Sequence, residues 1–195
     1  MPDPSPTPTP PPEPAPLAPV LEVTEPIRCD GGTMLLAFSG WMDGGDVSTG
    51  TVQRLIEQLD AKRVARIDPE PFYIFNVPGS MEVAALFRPA IEVEEGRLNA
   101  IEMPGNLFHY APMKELVLFV GKEPNLQWRR FGDAVFEYAE QTGIARIIFV
   151  GSYAGAVPHT RQPRLYATVS DPDDAEQLKR YGMRPANYSG PGSFT

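Results

Sequence analysis

The sequence contains very little cysteine and histidine, and this scarcity excludes several kinds of chemistry. Cys29 is the only cysteine among 195 residues, so no disulfide can form within the chain and no thiolate cluster can hold a metal ion. The two histidines, His109 and His159, lie far apart, and neither has a cysteine or carboxylate at the spacing of metal ligands. We therefore expect neither a metal site nor a cofactor, and we expect His109 to be a packed strand residue.

Long apolar runs and excess positive charge are also missing. No apolar run approaches the roughly 20 residues that span a bilayer, and the N-terminal residues lack the basic start and apolar segment of a secretory signal. The chain has 17 lysines and arginines against 25 aspartates and glutamates, which gives a net charge of −8. Because phosphate backbones bind basic surfaces, nucleic acid is not expected as a partner. The expectation is a cytoplasmic protein that binds neither membranes nor nucleic acid.

Proline is plentiful, but it is concentrated at the N-terminus. Ten of the 23 prolines occur within residues 1–20. Proline lacks an N–H group and has a fixed φ, so this segment is predicted to be a disordered, polyproline-II-like tail. We interpret it as a spacer, and the alternative is a ligand for an aromatic groove. Residues 21–195 are then predicted to form a single α/β domain.

The first half of this domain has the pattern of a strand, a helix and a second strand. The continuous apolar run from Thr33 to Phe38 predicts a strand buried on both faces. Apolar residues at helical spacing follow over 47–59, and a short strand is predicted at 63–67. This order predicts that the two strands are parallel.

The remaining segments complete an α/β pattern. Residues 92–94 and 98–101 flank a Glu-Gly-Arg turn and predict a hairpin, so part of the sheet should be antiparallel. An amphipathic helix after Pro124, with Trp128 expected in the core, should end at Gly143. Further elements are predicted as strands at 116–120, 146–150 and 165–169 and a helix opened by Asp171 and Pro172. The predicted fold class is α/β, a three-layer α/β/α sandwich with a mixed, mostly parallel sheet.

The junction between the first strand and the first helix is the most distinctive segment, Phe-Ser-Gly-Trp-Met-Asp-Gly-Gly-Asp at residues 38–46. In α/β proteins, ligands and partners bind at such strand ends. We expect Asp46 to cap the helix and Asp43 to shape the turn. The alternative is a carboxylate pair that binds a cation or a basic partner side chain. Trp41 is expected to pack over the sheet end, and the alternative is an exposed anchor for a partner.

A second cluster follows the strand at 146–150, with Gly-Ser-Tyr-Ala-Gly at 151–155 and Pro-His-Thr-Arg at 158–161. A hydrolase would use Ser152 as nucleophile and His159 as base. The segment is not a G-x-S-x-G elbow, however, so we favour a tight turn. His159 and Arg161 could line a cleft, bind an anion or support an oligomer interface.

Five segments also carry a family resemblance through their sequence and their order. They are Gly-Trp-Met-Asp-Gly-Gly-Asp at 40–46, Ile-Asp-Pro-Glu-Pro-Phe-Tyr at 67–73, Gly-Lys-Glu-Pro-Asn-Leu-Gln-Trp-Arg at 121–129, Val-Pro-His-Thr-Arg at 157–161 and Gly-Pro at 190–191. Together they resemble the proteasome assembly chaperone 2 family, in particular its prokaryotic members. The resemblance implies a phosphorylase/hydrolase-like α/β/α fold, often oligomeric, without a securely established reaction. Eukaryotic relatives are non-enzymatic chaperones that pair with a sister protein and guide assembly of the proteasome α-ring.

Two features depart from the family pattern. Family members usually continue beyond the Gly-Pro segment, so a chain that stops at Thr195 is expected to lack the family's C-terminal portion. Some proteasome-docking chaperones end in a hydrophobic–Tyr–any tail, whereas this chain ends in Ser193-Phe194-Thr195. That docking mode is therefore not carried over.

Two functional hypotheses remain at this point. The favoured one is a non-enzymatic protein-binding module that binds a protein partner or self-associates. The alternative is a small-ligand-binding protein or an enzyme, hydrolase/phosphorylase-like or ligase-like, that uses the strand-end cleft. No catalytic residue is assigned, and the candidate binding residues are Trp41, Asp43, Asp46, Ser152, His159 and Arg161.

Overall fold

A computed structural model describes residues 19–155, 157–158 and 160–194 of the chain. Its strands are β1 (Leu21–Val23), β2 (Gly32–Ser39), β3 (Lys62–Ile67), β4 (Ala90–Glu94), β5 (Arg97–Glu102), β6 (Leu107–Ala111), β7 (Leu116–Lys122), β8 (Ile144–Phe149), β9 (Tyr166–Ala167) and β10 (Arg184–Pro185). Its α-helices are α1 (Val47–Gln58), α2 (Met81–Ala85), α3 (Trp128–Thr142) and α4 (Pro172–Arg180). The tail predicted at 1–20 lies outside the described residues except for its last two positions, of which Val20 is buried in the core.

Six strands form the main sheet in the order β1-β3-β6-β7-β2-β8. Strand β2 pairs in parallel with β7 and with β8, whereas the other three neighbouring pairs are antiparallel. Following these pairings, β3, β7, β2 and β8 run in one direction and β1 and β6 in the other. The mixed α/β sheet is confirmed, and β2 and β3 are parallel as predicted. Parallel neighbours are fewer than expected because β6, which was anticipated only through His109, lies antiparallel between β3 and β7.

Helices cover both faces of this sheet and make the three-layer arrangement that was predicted. Along β2, Met34, Leu36 and Phe38 join the core on the α3 face, while Leu35 and Ala37 join the core on the α1 face. This alternation explains why the strand is apolar at nearly every position. The apolar face of α3 contributes Phe131, Ala134, Val135, Tyr138 and Ala139, and that of α1 contributes Val52, Leu55 and Ile56.

The predicted C-terminal end of α3 and the predicted N-terminal end of α4 are confirmed. Gly143 ends α3 with φ of +77°, a left-handed conformation that glycine adopts without steric cost. Helix α4 begins at Pro172, and the Asp171 carboxylate accepts a 2.9 Å hydrogen bond from the Asp173 N–H. The hairpin is also present as β4 and β5, but it forms a separate two-stranded sheet and does not supply the antiparallel part of the main sheet.

His109 lies on β6 as a packed strand residue, as expected. It pairs with Leu118 of β7 and Arg63 of β3. Burial of the imidazole lowers the pKa of His109 below its ordinary value, and the nearby Arg63 charge acts in the same direction. Elsewhere, none of the helices in the described part of the chain has the length and apolar character needed to cross a membrane.

Candidate functional site

The loop between β2 and α1 is held by the carboxylate of Asp43, which caps the helix. Its Oδ1 accepts hydrogen bonds from the backbone N–H groups of Ser48 at 2.9 Å and Thr49 at 3.1 Å. Its Oδ2 accepts a 2.6 Å hydrogen bond from the Thr49 hydroxyl. Asp43 is only 8% exposed, so these donors satisfy a charge that would otherwise be costly to bury. The carboxylate reaches over the intervening turn to the first free N–H groups of α1.

Asp46 does not cap the helix, so the expectation for this residue is wrong, and it is Asp43 that supplies the cap. Asp46 is exposed, makes no side-chain capping bond and has φ of +55°. It ends a 3₁₀ turn, Gly44–Asp46, in which Gly45 also has a positive φ of +66°. The Asp43 carboxylate, and not that of Asp46, bonds to the backbone N–H groups at the start of the helix. Asp46 instead lines an open depression of about 480 Å³ with Gly45, Val47, Gly50, Thr51, Arg54 and Leu55.

Ser152 connects the loop after β8 to the Asp43 loop. Its N–H donates to the Met42 carbonyl at 2.8 Å, and its own carbonyl accepts from the Gly44 N–H at 3.1 Å. Its hydroxyl lies 2.9 Å from the Ser48 hydroxyl and 3.2 Å from the Gly44 carbonyl. A Cβ on Gly44 would lie 3.0 Å from the backbone N of Ala154, so glycine permits this close approach. Ser152 therefore supports the loop through both backbone and side chain.

Trp41 projects from this braced loop and is 62% exposed. The favoured expectation that it packs over the sheet end is therefore wrong, because the loop leaves the sheet at Ser39 and presents the indole outward. Its backbone is nevertheless held, since the Trp41 N–H donates to Glu123 Oε2 at 3.2 Å. The other carboxylate oxygen of Glu123 accepts a 2.7 Å hydrogen bond from the Phe194 N–H.

Phe194 fills an aromatic crevice beneath this loop. Its ring centroid lies 5.4 Å from that of Phe38, 5.2 Å from that of Phe131 and 6.0 Å from that of Trp128. Trp128, expected in the core, is 43% exposed because it sits at the first turn of α3. Its indole N–H donates to the Pro124 carbonyl at 2.6 Å. Phe194 therefore packs between Phe38, near the end of β2, and Phe131 of α3.

The structure brings four of the six predicted site residues together, namely Trp41, Asp43, Asp46 and Ser152. Arg161 lies in an exposed turn in which its N–H donates to the Pro158 carbonyl at 3.0 Å. His159 lies outside the described residues, so the distance between Ser152 and His159, the alternative nucleophile and base, is not described. No group of three or more His, Cys, Asp and Glu side chains within the described residues could hold a metal ion.

Sequence reasoning missed several residues that build the site. Ser48 and Thr49 were not considered because they follow the expected cap, although the backbone N–H groups of the first helical turn are the donors that a capping side chain satisfies. Glu123 is distant in sequence and gave no signal. Tyr153 and Val47 are exposed at 63% and 59% and flank the Ser152 and Asp43 contacts. We give the name docking patch to these two residues and Trp41, because all three are exposed hydrophobic residues on or beside the two joined loops.

The chain is thus a three-layer α/β/α protein whose two strand-end loops are joined by backbone and hydroxyl hydrogen bonds. A family model described as the PAC2 family matches residues 37–195. The chain therefore belongs to the PAC2 family, and the resemblance found in the five sequence segments is confirmed. No curated protein sequence matches the chain.

Solved structures with the same fold include proteins from bacteria and archaea. A proteasome-assembly chaperone homologue from Mycobacterium tuberculosis superposes with a TM-score of 0.71 at 25% identity, over 83% of this chain and 65% of that one. A PAC2 family protein from Streptomyces avermitilis gives 0.68 at 26% identity, over 84% and 66%. Pyrococcus furiosus PbaA, an archaeal homologue of proteasome-assembly chaperone, gives 0.55 at 12% identity, over 89% and 63%, which shows the fold alone. This chain spans less than two thirds of the length of each of these proteins.

Proposed function

We propose that this protein is a non-enzymatic, chaperone-like module that binds a protein partner through the docking patch of Trp41, Val47 and Tyr153. The observation that carries the proposal is the 62% exposure of Trp41 on a loop whose backbone is fixed by Asp43, Glu123 and Ser152. Exposed aromatic side chains on a rigid support are typical of binding hot spots. Since the loop is already ordered, little conformational entropy is lost when a partner binds.

The class of partner follows from charge and from the relatives. A net charge of −8 favours a partner with a neutral or basic surface. The Mycobacterium tuberculosis and Pyrococcus furiosus proteins are described as homologues of proteasome-assembly chaperones. Their descriptions support an assembling protein subunit as the partner, and we take a proteasome α-type subunit as the defined probe. Such a role also fits a cytoplasmic location.

The test measures binding of a purified α-type subunit to the immobilised full chain by biolayer interferometry. Trp41→Ala combined with Tyr153→Ala should weaken binding at least tenfold. Tyr181→Ala is the control, because Tyr181 is 76% exposed and lies after α4, away from the two loops in sequence. Circular dichroism should show that both variants remain folded. The proposal would be overturned if the wild-type chain did not bind the subunit, or if both variants bound it equally well.

The open depression beside Asp46 favours a second candidate function, the binding of a small ligand. It measures about 480 Å³, a size within the roughly 300–1,000 Å³ of ligand pockets, but it is an open surface depression along one side of α1 and would bury a ligand less fully than such pockets do. A thermal-shift screen of nucleosides, phosphates, amino acids and esters tests this alternative. A ligand that raises the melting temperature of wild type, with the shift abolished in Gly50→Trp, would support a small-molecule function. Ester turnover lost in Ser152→Ala would instead support the hydrolase interpretation.

A further inference from the structure

The hairpin formed by β4 and β5 has one exposed face that is entirely aliphatic. Ile91 pairs with Ile101, and Val93 pairs with Leu98. These four side chains are exposed at 64%, 54%, 56% and 57%. The register shift between Glu92 and Val93 places Leu98 and Ile101 on the same face although they are three positions apart. Contiguous apolar surface of this kind marks an interaction site on a soluble protein.

The hairpin also has an open edge. Within the described residues β5 has β4 as its only strand neighbour, and every residue of β5 except Ala100 is exposed. Alternate backbone N–H and C=O groups of β5 therefore point away from β4, and such an edge is a template for a further strand. A two-stranded hairpin is at best marginally stable in water, whereas a sheet of three or more strands with an apolar face is stable. An added strand would therefore increase the stability of the hairpin.

We propose that the added strand is β5 of a second copy of this chain, paired antiparallel about a two-fold axis. The sequence of β5 from residue 97 to 102 is Arg-Leu-Asn-Ala-Ile-Glu. With the axis between Asn99 and Ala100, Arg97 faces Glu102 of the second copy and Leu98 faces Ile101 of the second copy. Each contact occurs twice by symmetry, as an isologous interface requires. Opposite charges and paired aliphatic residues directly across an antiparallel ladder are both stabilising.

The faces of the two strands also match in this register. Leu98 and Ile101 belong to the aliphatic face, whereas Arg97 and Glu102 pair with Glu94 and Ala90 on the polar face. The irregular residue between Leu98 and Ile101 occurs at the same place in both copies, so the register is kept on either side of the axis. The product is a four-stranded sheet in the order β4-β5-β5-β4, with eight aliphatic side chains on one face.

Strand β4 does not offer a comparable edge to a second copy. Its sequence is Ala-Ile-Glu-Val-Glu. The antiparallel registers centred on Glu92 or Val93 place Glu92 opposite Glu92 or Glu94, and like charges directly across a ladder are destabilising. Pro89, which precedes β4, cannot donate to a ladder and limits any register shifted towards the start of the strand. Self-complementarity is therefore a property of β5.

Reversing the charges of Arg97 and Glu102 in the full chain tests the proposed register. Sedimentation equilibrium should show a concentration-dependent dimer for wild type. All of these variants are made in a Glu94→Gln background, because Glu94 lies opposite Arg97 within the hairpin and would otherwise meet a like charge in Arg97→Glu. In this background Arg97→Glu and Glu102→Arg, made separately, should each raise the dimer dissociation constant at least tenfold, because each places like charges opposite one another across the two copies. The double variant Arg97→Glu/Glu102→Arg should return the constant to within about threefold of wild type. Lys179→Glu on α4 is the control and should leave dimerisation unchanged.

The outcomes separate this pairing from a general charge effect. Arg97→Glu makes the net charge more negative and Glu102→Arg makes it less negative, so general repulsion would shift the dissociation constant in opposite directions. A chain that stays monomeric at all concentrations, single variants that dimerise normally, or a double variant that stays monomeric would each overturn the proposal. The pairing uses none of the docking-patch residues, so it stands or fails independently of the proposed function.

Cross-linking provides a second measurement that does not depend on charge. In a Cys29→Ser background, Leu98→Cys/Ile101→Cys should form a disulfide-linked dimer on mild oxidation, because these positions face each other across the two copies. Each single substitution should give much less covalent dimer. Efficient cross-linking by Leu98→Cys alone would place Leu98 opposite itself and refute the proposed register.

Discussion

Replacing Asp43 tests the claim that this residue, and not Asp46, holds the start of α1. Loss of a helix-capping side chain costs about 0.5–2 kcal/mol. In Asp43→Ala, two backbone N–H groups and the Thr49 hydroxyl lose their acceptor at a position that is 8% exposed. Because a donor left unpaired in a buried site costs about 1–3 kcal/mol, the total expected loss in the free energy of unfolding is about 2–4 kcal/mol.

Two further variants provide stability changes with which the loss in Asp43→Ala can be compared. Asp43→Asn keeps one carbonyl oxygen for the backbone N–H groups and should cost about 1 kcal/mol, since it loses the charge-assisted part of these bonds. Asp46→Gly should be neutral or stabilise the protein by up to about 1 kcal/mol, because Asp46 has φ of +55° and makes no capping bond. The expected order of stability is Asp46→Gly, then Asp43→Asn, then Asp43→Ala.

Urea unfolding followed by far-ultraviolet circular dichroism measures these differences through the transition midpoint at constant slope. For a domain of this size, Asp43→Ala should also lower the melting temperature by roughly 5–12 °C. A loss below about 0.5 kcal/mol in Asp43→Ala would refute the capping assignment, because that is the lower limit of the usual capping effect. A marked destabilisation by Asp46→Gly would show that Asp46 supports the helix after all.

Two other predictions concern the sheet. Gly32→Ala should destabilise the protein by about 2–3 kcal/mol, because its Cβ would lie 2.0 Å from Cys29 Sγ and 2.5 Å from the Glu115 carbonyl oxygen. Gly31 has open space around it but a φ of +79°, so Gly31→Ala should cost only about 1 kcal/mol in the same urea assay. Equal losses in the two variants would contradict the claim that Gly32 is needed because its surroundings are crowded. The lowered pKa of His109 means that the unfolded chain binds a proton more readily than the folded one, so stability should fall as pH drops below the ordinary histidine value of about 6.5. His109→Gln should lose less melting temperature than wild type between pH 7.5 and 5, and parallel losses in the two proteins would show that other groups dominate.

The elements that the sequence predicted best are those in which local pattern and packing agree. Strand β2 and helix α3 are recognisable because burial on both faces, or on one stripe, dictates each side chain along them. Gly143 marks the end of α3 because glycine adopts the left-handed conformation, and Pro172, which favours the first helical position, singles out Asp171 as the cap of α4. Apart from the expectation for His109, strand β6 was not predicted, because its mixed sequence, Leu-Phe-His-Tyr-Ala, shows no regular alternation and is stabilised by its two partners, β3 and β7.

The two strand-end loops that the sequence singled out do meet in the structure, but the capping role was assigned to the wrong aspartate. Asp43 and Asp46 are three positions apart and separated by two glycines, so sequence alone cannot show which carboxylate folds back onto the helix. The choice depends on the 3₁₀ turn at Gly44–Asp46, which is a product of backbone geometry. Trp41 was expected inside for a similar reason, since nothing in the sequence shows that Glu123 holds the backbone of that loop from a distant strand end.

The shared carboxylate of Glu123 makes the Trp41 loop and the Phe194 segment parts of one equilibrium. Each oxygen accepts a backbone N–H from one of them, so loosening either segment leaves the carboxylate free to reorient and weakens its hold on the other. Coupling between two sites is reciprocal. If a seated Phe194 strengthens the binding of a partner to the Trp41 loop, that partner raises the free energy needed to withdraw Phe194 from its crevice by the same amount. Under the proposed function, the affinity of a partner for Trp41 would therefore depend on Phe194, a residue more than 150 positions away in the chain.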